Sequence, residues 1–242
     1  TPGPLNETYF EHAYLASFLG YPLVQGSDLV TRDNCVWLKS LKGLQLVDVI
    51  IKRVDDAYCD PLELKNDSEL GVAGLLNAAR KSNVTIVNPI GSTILENPAL
   101  LPFLPNISKA VFGKDLHLHQ VASWWCGQHK EMEYVLANLS NLIVRTIDNS
   151  SEIYMGPKLS RAQLAILAEK IKLLPHKFVG QEVVSFSTAP TFAQDKIEPR
   201  NTLWRTFCIA KKDKCKFMPG GLLRVAAKDE IECISNQSGS GS

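Results

Sequence analysis

The residues with most chemistry to offer lie between Phe178 and Arg224. Arg205 alternates with Leu203, Phe207 and Ile209 in the run LWRTFCIA, and a period of two puts all four on one strand face. A guanidinium in apolar company is costly unless an anion meets it, and its fork of donors matches phosphate and carboxylate oxygens. Arg224 follows the turn Pro219-Gly220-Gly221, whose bare backbone lets a ligand approach closely. Gln181 and Glu182 set an amide beside a carboxylate within the apolar run FVGQEVVSF. Two arginines, this polar pair and a Gly-Gly turn can line one anion-binding groove. Arg145, in LIVRTI, alternates with Ile143 and Ile147 and shares their face.

A second group follows the apolar run Val47 to Ile51. Lys52-Arg53-Val54-Asp55-Asp56, with Asp60 close behind, stands at a strand end, where α/β sheets gather ligand groups. The same residues also suit a solvated, self-neutralising charge cluster. His117, His119, Cys126 and His129 match no standard zinc spacing, so no metal ligands are expected among them. There is no Gly-x-Ser-x-Gly elbow, and no cysteine has a histidine spaced for nucleophilic catalysis. The chemistry left is electrostatic handling of an anion.

Positioning such groups takes a scaffold of strands and helices. Asn6 caps a helix predicted over Glu7 to Leu19, with Phe10, Ala13, Tyr14 and Phe18 at helical spacing. Tyr21 to Leu29, Val36 to Leu38 and Val47 to Lys52 read as strands, with Asp33-Asn34 as a hairpin turn. Asp67 or Ser68 is the expected cap of a helix carrying Leu75, Leu76 and Ala79, and Val84 to Asn88 reads as a short strand. Prolines 98, 102 and 105 break the next apolar segment. Beyond it come a helix over Glu131 to Leu139, a strand over Leu142 to Ile147, and a capping box, Ser160 with Gln163, opening a helix that Pro175 closes. The inward stripe of that helix is Leu164, Leu167, Ile171 and Leu174. The fold class is α/β (α+β): an α/β layer, then a mostly antiparallel sheet with flanking helices. The expected division is a lobe over 1–115, a second over 116–235 and a tail over 236–242.

Composition narrows the partners. With 242 residues, 45% of them apolar, and a net charge of +1, the chain can bury a sizeable core and carries no charge block for nucleic acid. Its apolar runs are strand-sized, too short for a membrane span. The six cysteines have no C-x-x-C pair and read as reduced thiols of a cytoplasmic protein.

The motif order carries more. QE, then STAP, an arginine-bearing strand and MPGGLLRVA resemble the circularly permuted ATP-grasp proteins of bacteria. TPGPLNETYFEHAYLASFLG, VDVIIKRVDDAYCDPLEL, LGVAGLL, NPIGS and SWWCG look like further segments of that family, in the same order. The resemblance implies an ATP-grasp-like fold related to ATP-dependent carboxylate-amine ligases, with ATP and Mg²⁺ as cofactors and an acyl phosphate as intermediate. It implies nucleotide contacts from Arg145, Gln181, Glu182, Arg205, Gly220, Gly221 and Arg224. Arg145 and Arg205 would stabilise the transferring phosphate, and Arg53, Asp55 and Asp56 would stand on the side of the carboxylate and amine substrates. In permuted relatives the metal-binding acid and asparagine precede the equivalent of Thr1, so a missing N-terminal segment is the expected partner. Glu230 with Glu232 and Asn236 are the nearest local substitutes. Asp148 to Glu152 stand where many relatives have a glycine-rich loop, and no glycine is present. That departure points to the alternative, a catalytically inactive nucleotide- or peptide-binding module.

Overall fold

The structure, a computed structural model, describes residues 1–147, 152–193, 195–211 and 214–226. The chain divides into two units, Thr1–His117 and Leu118–Ser242.

In the first unit, α1 (Tyr9–Leu19) ends at Gly20, whose φ of 72° lies in the left-handed region that glycine enters without strain. The strand expected from Tyr21 starts only at Leu29. Gln25 and Asp28 cap each other around a 3-10 turn, Gly26–Asp28, and this local bonding keeps the chain out of a ladder. β1 (Leu29–Arg32), β2 (Cys35–Ser40) and β3 (Gly43–Val47) form an antiparallel sheet in that order. Arg32 pairs with Cys35 across Asp33 and Asn34, with φ values of 52° and 61°, as a tight hairpin turn requires. β4 (Val49–Ile51) pairs in parallel with β5 (Thr85–Val87), and α2 (Leu75–Arg80) lies in the crossover. A proline-bearing 3-10 segment, Pro98–Phe103, leads into α3 (Leu104–Phe112). The core gathers Val36, Cys59, Val72, Leu75, Ala78, Val84 and Ile86.

The start of α2 corrects an expectation. Neither Asp67 nor Ser68 caps it. The fully buried Asp60 reaches over instead, its Oδ1 accepting from the Gly74 N–H at 3.1 Å and its Oδ2 from the Leu76 N–H at 3.0 Å. A carboxylate aimed at a helix start satisfies donors that the helix cannot.

In the second unit, β6 (Ser123–Trp125), β7 (Leu142–Thr146), β8 (Ile153–Met155) and β9 (Phe178–Glu182) form an antiparallel sheet ordered β6-β9-β7-β8. α4 (His129–Ala137) and α5 (Arg161–Leu173) pack on the sheet face that carries Leu142, Val144 and Phe178. Ser160 and Gln163 make the reciprocal capping box that opens α5. Leu167 and Ile171 are buried in its core, Leu164 packs against it, and Leu174 lies beyond the helix, partly exposed. α4 approaches β9 closely, because a β-carbon on Gly180 would lie 2.6 Å from Val135 Cγ2.

The remaining strands split into two groups rather than extending one sheet. β10 (Thr188–Ala193), β11 (Lys196–Arg205) and β14 (Leu222–Val225) form one antiparallel sheet, and β12 (Cys208–Lys211) with β13 (Lys214–Phe217) forms a hairpin. The chain changes partner after Arg205, from β14 to β13. β11 ends at Arg205 and β12 begins at Cys208, so Leu203 and Arg205 pair in one ladder and Ile209 in another, with Phe207 between the two. Among the described residues no helix is long and apolar enough to cross a membrane.

Candidate functional site

β11 and β14 bring two arginines together. Leu203 pairs with Arg224 and Arg205 with Leu222, so all four side chains share a face and the arginines are diagonal neighbours. The Arg205 guanidinium lies 5.5 Å from the centre of the Phe207 ring, a cation-π contact. The Nε of Arg224 is buried and has no hydrogen-bond partner among the described residues. An orphaned buried donor is uncommon and costs free energy until an acceptor arrives. Gly220 has φ 105°. A β-carbon on Gly221 would lie 2.6 Å from the Arg205 carbonyl oxygen and 2.7 Å from the Trp204 indole nitrogen. The Gly-Gly turn is therefore held against the end of β11, as only glycine permits, and the donor set fits an anion.

Arg145 and Gln181 occupy the other face of the four-stranded sheet. Its rows read Trp125, Val179, Arg145, Ile153 and then Ser123, Gln181, Ile143, Met155. Arg145 is half-buried and bonds to no described residue, while 148–151 lie outside the described residues. Gln181 is 8% exposed, and its Nε2 donates to Ser123 Oγ at 3.2 Å. Glu182 Oε1 accepts from the Ala122 N–H at 2.8 Å, and the Glu182 N–H donates to the Ala122 carbonyl. β9 is thus an interior strand, and residues 181 and 182 have their backbone in ladders. The ladder ends at Glu182, and the chain leaves the sheet at Val183.

In the first unit the charged group after β4 divides by role. Asp56 is nearly buried and bonds Lys52 through Oδ1, while its Oδ2 accepts from Gly91 N–H and Thr93 Oγ1, both at 2.8 Å, and from Thr93 N–H at 3.4 Å. Burial is the largest single influence on this carboxyl and would raise its pKa. The bonds from Lys52, Thr93 and Gly91 together outweigh burial and hold it at about 2. Both oxygens are committed inside the fold, which makes Asp56 a structural hub. Asp55 is exposed. Arg53 is exposed, bonds to no described residue and lines a cavity under α1.

Burial pushes the thiols of Cys59 and Cys126 up to about 11, so both are protonated and poor nucleophiles at neutral pH. The five described cysteines are free thiols. Among the described residues no three His, Cys, Asp or Glu side chains are grouped to share a cation, and Glu230, Glu232 and Asn236 lie outside the described residues. Sequence reading placed Asp60 only as a charge close behind Asp56, missing its reach to the start of α2, and it missed Thr93 and the chain's exit from the sheet at Val183. No local pattern announces them, since each depends on which distant segment arrives beside it.

A family model described as circularly permuted ATP-grasp type 2 matches residues 1–226. An uncharacterized protein of Mycobacterium tuberculosis H37Rv is 44% identical over 227 residues, covering 94% of this chain and 26% of the relative. A second one from that strain is 36% identical over 244 residues, covering 100% of this chain and 44% of the relative. An uncharacterized protein of Synechocystis is 33% identical over 244 residues, covering 100% of this chain and 51% of the relative. The chain spans between about a quarter and about half of the length of these curated relatives. The order of motifs, the mixed helix-sheet architecture and a match over nearly its whole length agree: the chain belongs to the circularly permuted ATP-grasp type 2 family.

Proposed function

We propose that this chain is part of an ATP-dependent ligase that joins a carboxylate to an amine through an acyl phosphate. Bound ATP would supply the phosphoryl group that activates the carboxylate. One observation carries the reading: the buried Nε of Arg224, unpartnered among the described residues, beside Arg205, with Gly221 held against the same strand end. Arg205 and Arg224 would bind phosphate oxygens, and Arg145 would add positive charge to neutralise them as charge moves in transfer. Gln181 and Glu182 would steady the sheet end from which Val183 and Val184 would offer backbone to the adenine rim. Arg53 and Asp55 remain the substrate-side groups, whereas Asp56 serves the fold. Mg²⁺ takes one or two carboxylates together with phosphate oxygens and water, and its protein ligands would come from outside the described residues.

A second reading is a binding module that kept the fold and lost the chemistry. The absence of glycine from Asp148 to Glu152 favours it, because backbone amides fold round a phosphate less freely and two acids add repulsion. Calorimetric titration of the chain with ATP, with and without Mg²⁺, should show weak binding that depends little on the metal. The full-length parent should release phosphate only when carboxylate and amine are both present. Tight nucleotide binding by the parent with no turnover across a panel of amino acids and peptides would favour the module. No binding of nucleotide or of any peptide in the panel by either protein would sink both readings.

A further inference from the structure

α1 does not close onto the strands beside it. Between its Leu15, Ala16 and Leu19 and the strand residues Leu38, Leu46 and Ile50 lies a cavity of about 530 Å³, well within the range of small-molecule sites, roughly 300–1,000 Å³. Its walls are mostly apolar and stand open: Leu46 is 50% exposed and Ile51 48%. Apolar surface left uncovered around a concavity is the ordinary mark of a binding site.

The polar groups at its edge are unequal. Each imidazole nitrogen of His12 lies 3.0 Å from a hydroxyl, that of Thr1 or Thr8. Burial, then the charge of Arg53, keeps the ring below its ordinary titration range and so neutral at pH 7. Arg53, by contrast, bonds to no described residue, and its guanidinium keeps all its donors free. Asp48 also lines the cavity, but it precedes β4 while Arg53 follows it. Five residue steps with β4 between them separate the two by at most roughly 16 Å, at about 3.3 Å a step. An anionic group is therefore repelled at one end of β4 and attracted at the other, and the wall between the two is apolar.

We propose that this cavity binds an organic acid, with its apolar body between α1 and the strands and its carboxylate on Arg53. The inference rests on the ligase reading only for the fate of the acid, as the carboxylate to be activated; the binding needs no nucleotide.

Decanoate and its neutral amide, decanamide, are the probes, titrated calorimetrically into the 242-residue chain without ATP. Decanoate should bind saturably at a single site. Arg53→Gln, a change at an exposed position, should weaken decanoate roughly 10- to 100-fold, the size of one lost charge-assisted contact, and leave decanamide unchanged. Ala16→Phe, which fills the gap, should abolish both while the far-ultraviolet circular dichroism stays native. If Ala16→Phe disturbs the fold, the Arg53 comparison stands alone. The proposal is overturned by no saturable binding below millimolar concentration, by equal affinity of wild type and Arg53→Gln for decanoate, or by equal weakening of acid and amide. Failure of the longer parent to bind decanoate would also overturn it, since the cavity would then be filled by other parts of that chain. A parent that binds decanoate but releases no phosphate with ATP and any of a panel of carboxylates and amines would refute the ligase reading and leave this one intact.

Discussion

Replacing Asp56 by asparagine should unlock the segment after β4 from the 3-10 turn Ser92–Glu96. The Asp56 carboxylate and the Lys52 ammonium are only 12% and 13% exposed, and the carboxylate also holds Gly91 and Thr93. An asparagine keeps one acceptor oxygen, so its amino group must face either the Lys52 ammonium or the Gly91 N–H, donor against donor. Breaking a buried pair from one side costs about 3–5 kcal/mol, and the residual exposure puts this case near the lower end. The effect has a pH signature. The folded carboxyl titrates near 2, below its unfolded value of 3.8. Its contribution is thus complete above the unfolded value and disappears as pH falls through the folded one. About 2 kcal/mol of stability should drain away in that window.

Urea unfolding followed by circular dichroism, from pH 2 to 7, measures both terms. Amide exchange at Gly91 and Thr93 reports the same site locally. Wild type should lose stability steeply below about pH 4, while Asp56→Asn should start lower and lose about 2 kcal/mol less over the same range. Asp55→Asn, one residue away and exposed, should stay within about 0.5 kcal/mol of wild type. If Asp56→Asn cost no more than Asp55→Asn, or kept the wild-type acid slope, the hub would be an error. An Asp56→Asn protein of native stability that lost substrate binding would restore Asp56 to the substrate side.

Gly180→Ala should destabilise by about 1–3 kcal/mol in urea unfolding, because the new methyl meets the stiff, buried Val135 at 2.6 Å. Adding Val135→Ala should recover part of that loss, and strict additivity of the two costs would refute the close approach. Arg205→Met and Arg224→Met should each weaken nucleotide binding by roughly 1.5–3 kcal/mol. Arg224→Met should do so without lowering the melting temperature, as no described residue bonds its Nε. Unchanged nucleotide affinity in both, with native folds, would remove the arginine pair from the site.

What was legible in the sequence was what is decided within a few residues. Asp33-Asn34 gives the hairpin turn because both residues tolerate positive φ, and Ser160 with Gln163 gives a helix start because the two side chains bond each other's backbone. The α5 stripe held for Leu164, Leu167 and Ile171 and ended before Leu174, where the helix itself ends. Alternation misled in two places for one reason. It reports what a segment would do as a strand, not whether a neighbour is there to pair with it. Among the described residues no strand pairs with Tyr21 to Val24, and Ile209 belongs to a different ladder from Arg205, with Phe207 in neither. Likewise no reading of residues 60 to 76 alone could reveal that Asp60 folds back onto the start of α2.

The charged residues of the candidate sites were equivalent on paper, and the structure separates them by whether their bonds are already made. Asp56 and Asp60 have both oxygens engaged by internal donors, and Glu182 holds the Ala122 N–H. Arg53, Arg205 and Arg224 form no ion pair with any described residue. An exposed arginine without a partner is common and carries little weight by itself, since water satisfies its donors at small cost. Arg224 is different, because water does not reach its Nε and nothing in the described fold replaces it. A buried donor left open is a standing cost that an acceptor bound in the working protein would relieve. Because Asp56, Asp60 and Glu182 have their bonds made inside the fold while Arg53, Arg205 and Arg224 do not, the ligands to seek first are anions: a phosphate for the Arg205 and Arg224 pair, a carboxylate for Arg53.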